Sequence, residues 1–566
     1  MTSAVFALQA KKGRRSGDGM ADVVVCCDGT WNTPDDLDGG LPAPTNVVKI
    51  YNALAETGAD KTPIRRYYHP GVGTDGGWWE RALGGGVGAG LGQNVKSAYR
   101  WLAGAYRPKD RIWLFGFSRG AFTARSLSGM ISRCGLIDTA GMTDAEIWAA
   151  VDATYDAYRA RAKDVEATDA RPVLGFSKGQ KVAGKTPIHF IGVWDTVGAL
   201  GIPDDMALLN LIDDPTAYEF HDTALSDNVG YARHAVALDE RRQSFTPTLW
   251  VDTPPKQNVA QVWFPGVHSD VGGGYVQTGL ANGALKWMMD QAADASSPVK
   301  AKDGAPEPAT LGGLVFRKGA AAQVVPNARD VLHDSLTGVF KKLKTRPREA
   351  PCFAPAAARA AKLDGSIHAS AYDRYDDPPL SQFAYWPTRA LAPGEEKTVD
   401  VFARDHWNAS GIYLEKGAAY SFAATGEWLD KSIACGPDGA RDGTFKPAEI
   451  VHVLSSAWGG AESLYKRLTG NAQADFWWTK REEGIGWFAL VGMIASGEWF
   501  EKDGSLAKKP LTSKDHARLT LNETFHIGSK ATITPQASGY LYCFANDAWQ
   551  TYDNNRGSVK LTVRRT

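Results

Sequence analysis

The chain has 566 residues, with 63 Lys and Arg against 63 Asp and Glu, and 43% of its positions are hydrophobic. That composition belongs to a folded chain with length enough for a sizeable core, and it excludes a disordered or collagen-like polymer. Balanced charge without a long Lys/Arg block removes the electrostatic basis for nucleic-acid binding, and no run approaches the ~18 apolar residues that a membrane-spanning helix needs.

Residues 1–20 read as a polar leader. Its basic cluster Lys11-Lys12-Gly13-Arg14-Arg15 is not followed by an apolar stretch of signal-peptide length, which predicts synthesis in the cytoplasm without a secretory signal. Val23-Val24-Val25-Cys26-Cys27 is a short apolar run ending in Asp28-Gly29-Thr30, the pattern of a buried strand entering a turn. Six cysteines are too few and too scattered for a disulfide scaffold, and Cys26 and Cys27 are expected as buried thiols facing opposite sides of that strand. Trp78 and Trp79 suit contact with a lipid interface or ordinary buried packing. Gly84 to Gly92 contains dinucleotide-like glycine spacings but follows no strand and lacks a Gly-Lys-Ser/Thr ending, so it is expected as a loop entering a helix over Gln93 to Tyr106.

Arg111-Ile112-Trp113-Leu114-Phe115 is the next apolar strand, and Gly116-Phe117-Ser118-Arg119-Gly120 follows it directly, ahead of a helical pattern over Ala121 to Cys134. This is the G-x-S-x-G nucleophile elbow in the context that gives it meaning. A strained turn lifts Ser118 to the edge of the sheet, and the glycines let the turn pass close to its neighbours. The backbone N–H of Arg119, with one from Gly29 or Thr30 after the first strand, would then form the oxyanion hole.

Serine needs a base and the base an acid, in chain order Ser, Asp, His for this arrangement. Ile188 to Trp194 is the most apolar of the later strands and ends in Asp195, the favoured acid. Asp239, which ends the strand His234 to Leu238, is next, followed by Asp222. Asp239 precedes Glu240-Arg241-Arg242 and has ion pairing as its competing explanation. His268 follows the strand Val259 to Phe264 in the glycine-rich stretch Pro265 to Gly274, expected as a flexible loop that carries imidazole over the serine. His189, His221 and His234 lie within or before strands and read as packing or surface histidines. Asp270 and Asp205 have no metal-ligand spacing, and no cofactor is expected for catalysis. Strands alternating with helices predict a parallel, helix-covered sheet over residues 21–393, with Ala293 to Pro308 as a surface loop.

After Pro393 the text changes to short strand-like runs: Tyr420 to Ala424, Trp487 to Val491, Ala531 to Thr534, Tyr540 to Phe544 and Val559 to Val563. This predicts an all-β sandwich over residues 394–566. Between its last two strands, Asp547, Thr551, Asn554 and Asn555 place carboxylate, amide and carbonyl oxygens in one loop, as calcium prefers, although turns use the same residue types.

Four segments in order, Val25 to Asn32, Gly116 to Arg125, Val193 to Gly198 and Val267 to Gly273, resemble the catalytic domain of the first class of type VI secretion lipase effectors. The resemblance runs from about Asp22 to about Pro393. It implies an α/β-hydrolase core, a Ser118-Asp195-His268 triad and phospholipase A activity on bacterial membranes. Export by type VI secretion to a target-cell periplasm is part of the same expectation, with a secretion spike protein and an immunity protein as partners.

The spacing of Asp547, Thr551, Asn554 and Asn555 resembles the calcium loop of the galactophilic PA-I-type bacterial lectins, as do Ala424 to Trp428, Cys435 to Gly439 and Trp487 to Gly492. That likeness implies a bound Ca2+ coordinating the hydroxyls of a surface glycan. Where those lectins hold galactose this chain reads Arg441 to Lys446, so galactose specificity is not implied, and a long insert over Glu449 to Arg481 intervenes. An esterase acting on acylated polysaccharide, or a glycan-binding protein with a hydrolase-like scaffold, are the competing functions.

Overall fold

The computed structural model describes residues 20–29, 35–58, 61–71, 87–159, 187–197, 225–226, 228–250, 258–298, 310–353, 366–439, 480–501, 503–508 and 519–566. Six strands form its central sheet: β1 (Asp22–Cys27), β2 (Ile64–His69), β3 (Arg111–Phe117), β4 (Ile188–Trp194), β5 (Val229–Ala237) and β6 (Asn258–Phe264). They lie in the order β2-β1-β3-β4-β5-β6, and every pair is parallel.

Side chains alternate across a strand, so a continuous apolar run fills both faces. Val23, Val25, Ile112, Leu114, Ile191 and Val193 face one cluster with α2 (Val87–Ala105), α3 (Arg119–Cys134) and α4 (Asp144–Arg159). Val24, Cys26, Trp113, Phe115 and Phe190 face the other, against α1 (Asn46–Ala53) and α6 (Gly279–Asp294). Cys26 and Cys27 fall on opposite faces as buried thiols, as expected. Each fully buried aliphatic side chain contributes about 1.5–3 kcal/mol, and this two-sided burial is what holds so hydrophobic a sheet in register.

Two expectations of local structure are corrected. Helix α2 begins at Val87, six residues before Gln93, so the second half of the glycine-rich segment is helical. Packing accounts for part of this: a Cβ on Gly92 would sit 2.8 Å from Tyr155 Oη on α4. His268 lies on a short helix, α5 (His268–Gly272), and not in a flexible loop.

The C-terminal region has two antiparallel sheets. One holds β7 (Arg389–Ala390), β9 (Asn408–Leu414), β16 (Gly539–Ala545), β12 (Leu490–Phe500) and β13 (Leu506–Ala507) in that order, with β14 (Thr520–His526) also on β12. β7, which enters this sheet before residue 393, is its one parallel pairing. The other holds β8 (Glu396–Phe402), β17 (Asn555–Arg565), β10 (Tyr420–Asp430) and β11 (Ile433–Cys435), with β15 (Lys530–Ile533) on β10. Trp428, Leu490, Leu541, Val559 and Leu561 pack between them. A further buried cluster joins Val236, Leu238 and Trp263 of the parallel sheet region to Phe353, Tyr385 and Tyr540. Among the described residues no helix is long and apolar enough to cross a membrane.

Candidate active site

Strand β3 delivers Ser118 at its C-terminal end, and α3 starts at the next residue. Ser118 has φ 56° and ψ −123°, a conformation costing about 1–3 kcal/mol for a residue with a Cβ, and one that persists only where the surroundings enforce it. The glycines of the motif are part of that enforcement. A Cβ on Gly116 would lie 2.4 Å from Gly120 O, and one on Gly120 would lie 2.2 Å from Cys27 O at the end of β1. The Ser118 amide donates to Trp194 O at 3.1 Å, which ties the elbow to the end of β4.

Asp195 is the next residue along β4, fully buried, and its backbone N–H continues the ladder to Ala235 O at 2.7 Å. Its Oδ2 accepts from His268 Nδ1 at 2.6 Å, and its Oδ1 accepts from the Ala237 amide at 3.0 Å. His268 is buried against Phe117, the neighbour of Ser118, with ring centroids 4.6 Å apart. Gly272 of α5 rests on the same Phe117 ring, where a Cβ would stand 1.9 Å from a ring carbon. His268 Nε2 is buried with no hydrogen-bond partner among the described residues, so the nitrogen opposite the carboxylate is unspent. Ser118 is thus tied to Trp194, the residue before Asp195, and Asp195 holds His268, whose ring packs on the neighbour of Ser118.

Burial pushes the Asp195 carboxyl upward, but the Arg348 guanidinium and the His268 hydrogen bond outweigh it and hold Asp195 well below the carboxylate range. Burial lowers the pKa of His268, with Asp195 and Glu240 opposing and Arg242 reinforcing. Glu240 accepts the His268 amide at 3.2 Å, and Arg242 holds its carboxylate at about 2 against the burial that raises it. Asp270 caps α5 through the Val267 amide at 3.0 Å and accepts from His333 Nδ1 at 2.6 Å.

Other expected residues fall differently. Among the described residues no ion pair of Asp239 is found: it accepts from the Gly266 amide (2.7 Å), Tyr385 Oη (2.8 Å) and Trp386 Nε1 (2.9 Å). The ion pair belongs to its neighbour Glu240, with Arg242 at 2.7 Å. Asp239 thus serves to fasten the Tyr385–Trp386 segment, and no described histidine is hydrogen-bonded to it. The Gly29 N–H is engaged by Asp28 Oδ1 at 2.7 Å, so that donor is spent in this arrangement. Asp28 is itself held by Thr45 Oγ1 and Tyr68 Oη, both at 2.7 Å. His189 and His234 have structural partners, Ala295 O and the Thr196 amide. Asp222, Thr30, Trp78, Trp79, Asp205 and His221 lie outside the described residues, as does Arg441 to Lys446.

Sequence reasoning missed Arg348, Glu240 and His333. Arg348 forks onto both oxygens of Asp195 (3.1 and 2.9 Å) from 153 positions away, and no motif marks it.

In the C-terminal loop, Asp547 is buried, accepting the Ala548 amide at 2.7 Å on Oδ1 and Asn555 Nδ2 at 3.0 Å on Oδ2. Burial raises its pKa to about 6, Asn555 opposing and Asp430 adding to the rise. Asn555 Oδ1 is buried without a partner among the described residues, while Asn554 closes a short 3-10 turn on the surface. A buried carboxylate beside an orphaned amide oxygen is a donor set that fits a cation. Among the described residues no group of three or more His, Cys, Asp and Glu could hold a metal.

Residues 22–291, just under half of the chain, match the family model described as "T6SS, Phospholipase effector Tle1-like, catalytic domain". Ser118, Asp195 and His268 fall inside the match, and Arg348 falls outside it. The uncharacterized protein YEL023C of Saccharomyces cerevisiae is 31% identical over 247 residues, covering 41% of this chain and 33% of that protein. The chain thus spans about a third of that relative's length. Among solved structures, an uncharacterized protein from Pseudomonas aeruginosa aligns over 55% of this chain and 49% of its own at 17% identity, with a TM-score of 0.29. The EclA N-terminal domain, a PllA-like lectin, aligns over 30% of this chain and 95% of its own at 15% identity, with a TM-score of 0.16.

Proposed function

With residues 22–291 a catalytic domain of the Tle1-like type VI secretion phospholipase effectors, we propose that this protein is a serine esterase of the phospholipase A type acting on membrane phospholipids. The observations that support the reading are a backbone-strained serine at the end of β3 and, just past the end of the adjoining β4, a buried aspartate hydrogen-bonded at 2.6 Å to a histidine. On this reading residues 21–393 are an α/β-hydrolase domain and residues 394–566 a separate lectin-like sandwich. Ser118 Oγ attacks the ester carbonyl while His268 Nε2 takes its proton, and Asp195 fixes the Nδ1–H tautomer. The Arg119 amide at the start of α3 stabilises the oxyanion, and His268 returns the proton to the leaving alcohol. Water then hydrolyses the acyl-enzyme by the same route. Type VI export to a target-cell periplasm supplies the substrate bilayer, with a spike protein and an immunity protein as the partners of that route.

Phospholipid vesicles and an acetylated polysaccharide, each incubated with the purified protein, test this. Fatty-acid release is expected. Acetate release alone would replace the reading with an esterase of acylated polysaccharide, and inertness toward both with retained sugar binding would leave a glycan-binding protein. His268 must be neutral to accept a proton, so activity is lost as pH falls through its pKa. Because burial lowers that pKa, the acid limb of kcat/KM is expected below histidine's ordinary value of about 6.5. A limb centred above pH 7 would contradict the assignment.

The orphaned Asn555 oxygen favours a second function in the C-terminal region. Asp547, Asn554, Asn555 and the Thr551 carbonyl would hold calcium, whose charge would coordinate sugar hydroxyls and dock the protein on surface glycan. Asp547 binds a cation only when ionised, so calcium affinity should rise as pH increases through about 6. Millimolar calcium is expected to raise the thermal midpoint at pH 7.5, less so at pH 5, and not in Asp547→Asn. An equal response in that variant would remove the site.

A further inference from the structure

The aspartate proposed to orient the catalytic base is shared. Arg348 is buried, its side chain only 3% exposed, and its guanidinium has more than one task there. Nη1 donates to Asp195 Oδ1 at 3.1 Å and Nη2 to Oδ2 at 2.9 Å, while Nη2 also reaches Phe245 O at 2.9 Å and Nε reaches Glu240 O at 3.2 Å. The planar fork matches a carboxylate in a way that an ammonium cannot. Oδ2, which accepts from His268, is the oxygen that Nη2 pins. Without the fork the carboxylate would keep the Ala237 amide on Oδ1 and the imidazole itself on Oδ2, and would lose its counter-charge in a buried site.

Arg348 sits on a strap, residues 344–353, that is anchored on both sides. On the parallel-sheet side, Lys344 O accepts the Gln243 amide at 3.1 Å and the Arg346 amide donates to Arg241 O at 2.7 Å. On the other side, three residues of the C-terminal region hold it. Trp407 Nε1 donates to Thr345 O at 2.9 Å, Asn522 Nδ2 to Glu349 Oε1 at 3.2 Å, and the Phe353 amide donates to Tyr540 Oη at 2.9 Å. Asn522 lies on β14 and Tyr540 on β16. The strap lies beyond the family-matched residues, so neither the arginine nor its C-terminal anchors Trp407, Asn522 and Tyr540 belong to the matched domain, whereas Arg241 and Gln243 do.

We propose that Arg348 is a positioning residue of the catalytic triad and that the strap makes the C-terminal β region part of the device that aims the catalytic base. This rests on the serine-esterase reading above. In a site where about 1 Å of misplacement can cost about a hundredfold in rate, a bidentate clamp on the orienting carboxylate has a direct kinetic consequence. The guanidinium also offsets the charge with which Asp195 would otherwise favour the imidazolium. Among the described residues, the other charged or titratable groups around His268 are Glu240 and Arg242 after β5, and Asp270 with its partner His333 at α5.

The test is hydrolysis of p-nitrophenyl butyrate by the full-length protein and by Ser118→Ala, Arg348→Lys, Arg348→Met and Tyr540→Phe, with kcat, KM and pH profiles. Arg348→Lys keeps the charge and loses the fork, so kcat should fall about tenfold or more with KM nearly unchanged and the acid limb close to wild type. Arg348→Met removes the charge, so the acid limb should move up by about one pH unit. Tyr540→Phe frees one end of the strap and should lower kcat severalfold. A purely structural Arg348 would lower thermal stability and leave these kinetic signatures unmoved. Wild-type kcat in Arg348→Lys overturns the proposal, as does an unmoved limb in a folded Arg348→Met; if the Met variant does not fold, the Lys variant decides. Loss of activity in Ser118→Ala with wild-type behaviour in Arg348→Lys sinks this inference alone. Full activity in Ser118→Ala sinks the esterase reading beneath it.

Discussion

Ser118→Ala is expected to lower kcat for ester hydrolysis by about 10⁴-fold or more, with the thermal midpoint close to that of the wild type. The proposed nucleophile has no substitute at the tip of the elbow, and removal of one oxygen from a residue 8% exposed leaves almost no cavity. Alanine occupies the same backbone region, φ 56° and ψ −123°, at no greater strain than serine, so the turn survives. Fatty-acid release from vesicles and calorimetry on the same preparation separate chemistry from folding. Activity above a tenth of wild type would dismiss Ser118 as the nucleophile.

Asp195→Asn should combine a large kinetic loss with a large stability loss. Four donors converge on this carboxylate: the Ala237 amide, two from Arg348 and one from His268. An asparagine presents an NH₂ where one of them expects an acceptor, and Arg348 is left as an unpaired buried charge. Breaking a buried pair from one side costs about 3–5 kcal/mol, and losing the correct imidazole tautomer costs about 10⁴ in kcat. The pH sign follows from the depressed pKa: the pair's stabilisation is present above the ordinary aspartate value of about 3.8 and is lost as pH falls below it toward the folded pKa. The stability gap between wild type and variant should therefore be wide at pH 7 and shrink progressively once pH falls below about 3.8, so that it is smaller at pH 2. Urea unfolding at both values measures it, and a gap independent of pH would show that Asp195 is not ion-paired.

Much of this site is legible in the sequence because its signals are local. The apolar run Arg111 to Phe115 and the two glycines flanking Ser118 specify an elbow, since only a residue without a Cβ fits 2.2 Å from a neighbouring carbonyl. Asp195 stands out over Asp239 because it ends the more apolar strand, and the structure gives Asp195 the histidine and Asp239 the Tyr385 and Trp386 donors. Arg348 carries no such signal. It reaches the aspartate across 153 positions from Arg346-Pro347-Arg348-Glu349, a stretch that reads as an ordinary polar connector. The helical setting of His268 was hidden for a related reason: α5 is only five residues long and starts with a cap from Asp270 in a glycine-rich stretch that otherwise signals a loop.

The pairing of β17 with β8 and β10 has a consequence for the order of assembly. Residue Arg564 is registered with Glu396 across 168 positions, whereas β3, β4, β5 and β6 are neighbours in both chain and sheet. Contacts that close so long a loop form late, after the locally connected strands have collapsed. Since the strap bearing Arg348 is anchored on strands of the late-forming region, a refolding chain should acquire its parallel sheet before Asp195 is clamped. Far-ultraviolet circular dichroism is then expected to recover ahead of esterase turnover, and simultaneous recovery would mean that the two halves fold as one cooperative unit.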